Sequence, residues 1–148
     1  MSDIHDRCGA CTTRREFFLT IAALPVFAIL GAGADAAKRY PIPATDSANI
    51  DYKAQVIIVR YQNAVFAFAL SCPHENAAVK WLSKDKRFQC TKHDSRYQPN
   101  GVHTSGRATR NMDRFVIQRD GESVVVDLHH WFQSDKDPAG WASAAIQL

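Results

Sequence analysis

The sequence predicts an all-β fold, an antiparallel sandwich or small barrel, over the second two-thirds of the chain. Three observations predict it: short runs rich in β-branched and aromatic residues, tight-turn residues between them, and regular spacing of the runs. Lys53–Tyr61 holds Val56, Ile57, Ile58 and Val59 in succession. Ala64–Leu70 sets Val65 and Phe66 among small residues. Only Gln62 and Asn63 separate these runs, which suits a two-residue hairpin. Val79–Leu82 and Lys86–Gln89 read as two short strands around Ser83, Lys84 and Asp85, with Trp81 and Phe88 as core residues. Met112–Gln118 and Ser123–Leu128 read as a further hairpin around Asp120 and Gly121. From Ser134 onward, Pro138 and an alanine-rich stretch predict one short helix.

The chain has 148 residues, enough for one domain with an extension. Its formal net charge is +3, with 46% hydrophobic and 22% charged residues, ordinary for a globular protein. No basic stripe with interleaved aromatics occurs, so nucleic-acid binding has no support.

The first fifty residues read as an address followed by a linker. Arg14 and Arg15 stand before an apolar run from Phe17 to Ala34, and Ala34-Asp35-Ala36 offers a small-x-small cleavage site. Paired arginines in this place resemble the twin-arginine export signal, which carries folded proteins. The alternative is a retained signal-anchor helix, since eighteen uncharged residues span roughly 27 Å. Either way the arginines stay cytoplasmic and the domain lies on the periplasmic side. The expected division is residues 1–37 as signal or anchor, 38–50 as linker, and 51–148 as the folded domain with its tail. Residues 17–34 touch the membrane if the signal is retained. Residues 38–50, with Pro41 and Pro43, read either as a tether or as an extension packed along the domain. Cys8 and Cys11 form a C-x-x-C without strand–helix context and read as accessory thiols.

Two boxes carry the chemistry. Cys72-Pro73-His74 and Cys90-Thr91-Lys92-His93 each supply one thiolate and one imidazole. The spacer holds two short strands, so it folds as a hairpin that brings the boxes together. Two metal centres accept this donor set: a tetrahedral zinc, and a [2Fe–2S] cluster with two histidines on one iron. Common zinc fingers pair cysteine with cysteine and histidine with histidine. Here each box mixes the two, which suits a cluster served on both irons by both boxes. Zinc stays the alternative.

With these boxes, residues from about Asp51 to Leu128 resemble the Rieske domain. The resemblance implies a β-sandwich base with a small two-loop cluster-binding subdomain and one [2Fe–2S] cluster. It implies Cys72 and Cys90 on the buried iron, and His74 and His93 on the outer iron. Ser95 and Tyr97 stand where high-potential members carry a serine and a tyrosine that hydrogen-bond to sulfur and raise the potential. Imidazole ligation implies a potential that falls with rising pH. Three features depart from the high-potential pattern. Ala77 (or a neighbour) and Lys92 stand where that branch has a loop disulfide. Asp94 stands where glycine is usual, and Gly106-Arg107-Ala108 lacks the usual central proline.

The expected function is one-electron transfer by a periplasmic or membrane-tethered redox subunit. Its partners would be a quinol or larger oxidoreductase as donor and a cytochrome-type acceptor. The alternatives are a ferredoxin-like donor to an oxygenase and a structural zinc module. A whole oxygenase is not expected, since residues 1–148 offer no further domain for a second iron site. His129-His130-Trp131-Phe132 has no cysteine or carboxylate partner at sensible spacing and reads as an edge or docking surface. Lys80, Lys84, Lys86 and Arg87 form a basic hairpin, read first as a solvated tip and second as a patch for an acidic partner.

Overall fold

In the computed structural model, which describes residues 36–148, eleven strands and one short helix follow in order. They are β1 (Ala37–Pro41), β2 (Ser47–Asp51), β3 (Val56–Tyr61), β4 (Ala64–Ala69), β5 (Val79–Leu82), β6 (Arg87–Cys90), β7 (Arg96–Tyr97), β8 (His103–Ser105), β9 (Arg114–Asp120), β10 (Ser123–Phe132), α1 (Pro138–Ser143) and β11 (Ile146–Gln147). The all-β expectation holds for these residues. The export signal, the apolar segment, Cys8 and Cys11 lie outside them. Among the described residues no helix is long and apolar enough to cross a membrane.

The large sheet runs β1-β10-β9-β4-β3-β2, with β11 added on β4. Between β4 and β9 only Phe68 and Arg114 are paired. The sheet therefore folds at that seam into two layers. Its two outer strands meet again through side chains: Lys38 on β1 donates to Asp51 on β2 at 2.6 Å, and the Tyr40 hydroxyl donates to the same carboxylate at 3.0 Å. The result lies between sandwich and barrel, closed on one side by backbone pairing and on the other by a carboxylate.

Val56, Ile58, Val65 and Ala67 face Phe115, Ile117, Val124 and Val126 across the interior. The alternate residues of the same strands, Ile57, Val59, Phe66 and Phe68, join a second core with Phe88, Tyr97, Cys72 and Cys90. Thus Val56–Val59 of β3 is buried on both faces, which is why that stretch is continuously apolar and not alternating. A small sheet, β5-β6-β7-β8, covers this second core. It carries the two boxes: box one precedes β5, and box two joins β6 to β7.

Several boundaries differ from the expectation for local reasons. The segment 38–50, read as a linker, contributes β1 and β2 to the sheet. Tyr40, Ile42, Ala48 and Ile50 pack on the cores, and Pro41 sits at the end of an outer strand, where no ladder donor is lost. β3 starts at Val56 and not Lys53, because Asp51 accepts from the backbone of Lys53 and Ala54 and forms a turn. Gln62 and Asn63 both have positive φ, 48° and 63°, as a type I′ hairpin requires. Lys86, with φ 46°, belongs to the turn, which moves β6 to Arg87–Cys90. The β9–β10 turn is Gly121-Glu122, one residue later than expected, since Asp120 pairs with Ser123. β10 continues to Phe132 past a bulge between Asp127 and Trp131. That bulge brings Asp127 to 2.7 Å from His130, so the His129–Phe132 segment does have a carboxylate partner.

The tail helix forms as expected. Asp137 caps it by accepting from Gly140 N–H at 2.8 Å, and Pro138 occupies its first turn. Arg114 holds this tail to the domain. Its guanidinium lies 3.5 Å from the Trp141 ring centroid and donates to the carbonyls of Trp141 and Asn100, both at 2.8 Å. Burial lowers its pKa to about 10, so it remains charged at neutral pH. Arg114→Ala is expected to cost about 2–4 kcal/mol, because two carbonyls lose their donor and the Trp141, Phe66 and Phe68 rings lose the guanidinium that lies against them. Denaturant unfolding measures this; a change under about 0.5 kcal/mol would remove Arg114 as a structural tie.

Candidate metal centre

Two loops of matching construction hold the boxes. In the first, Cys72 N–H donates to the Ala77 carbonyl at 2.7 Å; in the second, Cys90 N–H donates to the Ser95 carbonyl at 2.8 Å. Both bonds span five residues. In both, the fourth residue after the cysteine is left-handed: Asn76 has φ 54° and Asp94 has φ 55°. Asn and Asp are the side chains best tolerated there. Asp94 therefore keeps the backbone conformation that the expected glycine would adopt, and its carboxylate accepts from Gln89 Nε2 at 2.6 Å. Thr91 fastens the second loop to the first, donating to the Ala78 carbonyl from both its N–H (3.0 Å) and its hydroxyl (2.9 Å).

The thiols of Cys72 and Cys90 lie in the core and form no disulfide. Burial alone would raise the Cys90 thiol. The backbone N–H groups of His93 and Lys92 and the Cys72 side chain lean the other way, and the net shift is downward. Tyr97, fully buried, places its hydroxyl 3.2 Å from Cys72 Sγ. Burial and the neighbouring sulfur push the phenol's pKa well up. Ser95 is buried next to it, and its Oγ accepts from Ala108 N–H at 2.9 Å.

The imidazoles lie farther out. The side chains of His74 and His93 are 26% and 15% exposed, and their Nδ1 atoms are 3.1 Å apart. Their Nε2 atoms turn toward Glu75, at 3.9 and 3.6 Å from its carboxylate oxygens. Glu75 in turn accepts from Lys92 Nζ at 3.1 Å, an ion pair across the two loops. The Lys92 ammonium holds the Glu75 carboxyl below its ordinary pKa. The sequence reading missed Glu75: nothing in a Glu beside a histidine announces a partner in the other loop.

Among the described residues, the one grouping of His, Cys, Asp and Glu donor atoms within 4.8 Å of each other is His74, Glu75 and His93. Neither thiol belongs to that grouping. A single tetrahedral zinc with bonds of about 2.0–2.3 Å would bring all four donors within roughly 4 Å of one another. The donors instead divide into a buried thiol pair and an outer imidazole pair, the division a two-iron cluster asks for. The donor set and the sulfur-directed N–H and O–H groups fit such a cluster.

An all-β domain with paired thiols and paired imidazoles on two matched loops defines a class of metal-binding redox domain. The chain belongs to the Rieske [2Fe-2S] domain family, which it matches over residues 36–126. A domain of this family binds one [2Fe–2S] cluster and serves electron transfer between redox partners. Among solved structures, the chain is similar to the cyanobacterial plasma membrane Rieske protein PetC3 from Synechocystis PCC 6803. That likeness has a TM-score of 0.46 and 22% identity, over 54% of this chain and 83% of that one. It is also similar to the ferredoxin of carbazole 1,9a-dioxygenase from Nocardioides aromaticivorans IC177, with a TM-score of 0.44 and 19% identity, over 62% of this chain and 97% of that one. No curated protein matches the chain.

Proposed function

We propose that Cys72 and Cys90 ligate the inner iron of the cluster and His74 and His93 the outer iron. The chain is then a one-electron transfer subunit on the periplasmic side of a bacterial inner membrane. It takes electrons from a quinol or a larger oxidoreductase and passes them to a cytochrome-type acceptor. The observation that carries the ligand assignment is the division of the donors into a buried thiol pair and a partly exposed imidazole pair. When bound, the cluster supplies a centre that gains and loses one electron at a time.

The residues around it have separable tasks. The loops hold the sulfurs in the core and leave the imidazole edges at the surface, within a partner's reach. With Cys72 a thiolate ligand, the Tyr97 hydroxyl is the donor to its sulfur, and the Lys92 and His93 backbones face Cys90 sulfur. Donors to sulfur favour the more negative, reduced state and raise the potential. Tyr97 is thus a tuning residue of a quinol-oxidising type of centre, and the family resemblance gives Ser95 the same role. Tyr97→Phe is expected to lower the potential by on the order of 50 mV, taking about 1 kcal/mol of differential hydrogen bonding and 59 mV per tenfold for one electron. An unchanged potential with an intact cluster would strip Tyr97 of that role.

Export rests on Arg14 and Arg15 and the apolar run behind them. Replacing both arginines by lysine is expected to leave the chain in the cytoplasmic fraction; unaltered export would end the twin-arginine reading.

The deciding experiment is a redox titration of the full chain, followed by paramagnetic resonance of the reduced cluster. A clearly positive potential supports quinol-to-cytochrome transfer. A potential below roughly −100 mV, toward the low end for Rieske centres, would replace that role by ferredoxin-like donation.

A further inference from the structure

Charge is divided unevenly along the described domain. Between Cys72 and Arg110 stand the cations Lys80, Lys84, Lys86, Arg87, Lys92, Arg96, Arg107 and Arg110, against Glu75, Asp85 and Asp94. From Asn111 onward the balance reverses: Arg114, Arg119 and Lys136 against Asp113, Asp120, Glu122, Asp127, Asp135 and Asp137. The segment that carries the boxes is therefore a basic pole, and the end of the chain is acidic.

Three of the basic pole's cations are occupied at home. Lys92 pairs with Glu75, Arg87 with Asp85, and Arg110 with Asp113. Lys80, Lys84, Lys86, Arg96 and Arg107 are exposed and have no ion pair among the described residues. Strand register gathers part of this charge beside box two. Lys80 pairs with Gln89, Gln89 with Arg96, and Arg96 with Ser105, so these residues form one row on the outer face of the small sheet. The Gln89 amide fastens the row to Asp94, the residue after His93. Arg107 is held to the same place from both sides. A Cβ on Gly106 would lie 2.4 Å from Ser95 Cα, and Ala108 N–H bonds to Ser95 Oγ. Lys92 precedes His93 directly.

We propose that the face bearing Lys80, Arg96 and Arg107 beside His93 is the docking surface for an acidic redox protein. That partner carries carboxylates around its own one-electron centre and accepts the electron there. The proposal rests on the ligand reading above, since it makes the His93 edge the exit. One electron leaves this chain and one reduces the partner; no bond forms or breaks. Complementary charge of this kind speeds encounter by about 10- to 1,000-fold at low salt and fixes orientation. An anionic membrane surface fits the face less well. Glu75, Asp85 and Asp94 interrupt it, and the exposed large hydrophobic residues of the described chain, Tyr52 and Trp131, lie outside the segment. Membrane-surface binding needs such apolar anchors within the basic face.

The test uses the reduced full-length chain with its cluster and two inorganic one-electron oxidants of opposite charge. These are hexacyanoferrate(III) and tris(phenanthroline)cobalt(III). Stopped-flow rates are followed from about 10 mM to about 500 mM ionic strength, over which the screening length falls from roughly 30 Å to a few Å. The hexacyanoferrate rate is expected to fall at least about tenfold, and the cobalt rate to stay level or rise. Arg96→Gln with Arg107→Gln should remove most of that difference, and poly-L-glutamate should compete with hexacyanoferrate in the unsubstituted chain. Equal salt dependence for both oxidants, with an intact paramagnetic signal, overturns the docking surface alone. Sedimentation with phosphatidylglycerol vesicles at physiological salt, lost in the double variant, overturns the protein partner in favour of lipid. A missing iron–sulfur signal in the unsubstituted chain overturns the cluster reading beneath both.

Discussion

Cys90→Ser is expected to abolish the iron–sulfur centre of the full-length chain. Cys90 is the last residue of β6, 1% exposed, and its sulfur faces the backbone N–H groups of Lys92 and His93. Those donors favour a thiolate. A serine hydroxyl keeps its proton at neutral pH and is a hard, weak ligand for iron, so one corner of the inner iron goes unheld. The fold should tolerate the change far better than the cluster does. Serine is smaller, and the same N–H groups satisfy its oxygen, so the cost to the apo chain stays near or below about 1–3 kcal/mol. Cys72→Ser should behave alike, with Tyr97 left facing a hydroxyl. Iron and acid-labile sulfide per chain, the visible spectrum and paramagnetic resonance of the reduced protein all read the loss. Ser95→Ala is the contrast: the centre should form with a lower potential, at a stability cost of about 1–3 kcal/mol because the buried Ala108 N–H loses its acceptor. A Cys90→Ser protein with full iron and sulfide content would remove Cys90 from the ligand set.

How much of this was legible in the sequence depends on the range of the interactions concerned. The hairpin at Gln62-Asn63, the short helix capped by Asp137 and the core strand Val56–Val59 are local facts, written in propensity and turn chemistry. So were the two boxes, because each ligand pair sits within four residues. Strands β1 and β2 were not legible. Their residues are polar and proline-marked, and they become strands only because β10 and β3 offer unpaired edges. The bulge that brings Asp127 to His130 and the Glu75–Lys92 bridge are likewise set by tertiary placement. Asp94 is the instructive intermediate case. Its identity departs from the expected glycine, yet its φ of 55° keeps the glycine-like conformation. The sequence showed the substitution, and only the backbone shows that the loop absorbs it.

The same loop explains why Gly106 cannot be absorbed in this way, and Gly106→Ala should be among the most damaging single-atom additions in the chain. Gly106 has φ 98°, and a Cβ there would lie 2.4 Å from Ser95 Cα, 2.8 Å from Ser95 N and 3.0 Å from the Asp94 carbonyl oxygen. All three contacts are backbone, so no side chain can rotate out of the way. Either the 105–109 loop lifts or box two moves. Lifting the loop breaks the Ala108 N–H to Ser95 Oγ bond, and moving box two disturbs the Cys90 N–H to Ser95 carbonyl bond that closes it. The expected loss is about 2–4 kcal/mol, from the left-handed backbone penalty of about 1–2 kcal/mol plus overpacking of about 1–3 kcal/mol. Gly121→Ala isolates the first of these. Gly121 has φ 60° with nothing within 4 Å of its would-be Cβ, so it should lose only about 1–2 kcal/mol. Unfolding midpoints of the two variants, with their cluster content, make the comparison. Equal midpoints and equal iron in both would mean that the 105–109 loop yields freely, and that box two owes its position to the Cys90–Ser95 and Thr91–Ala78 bonds alone.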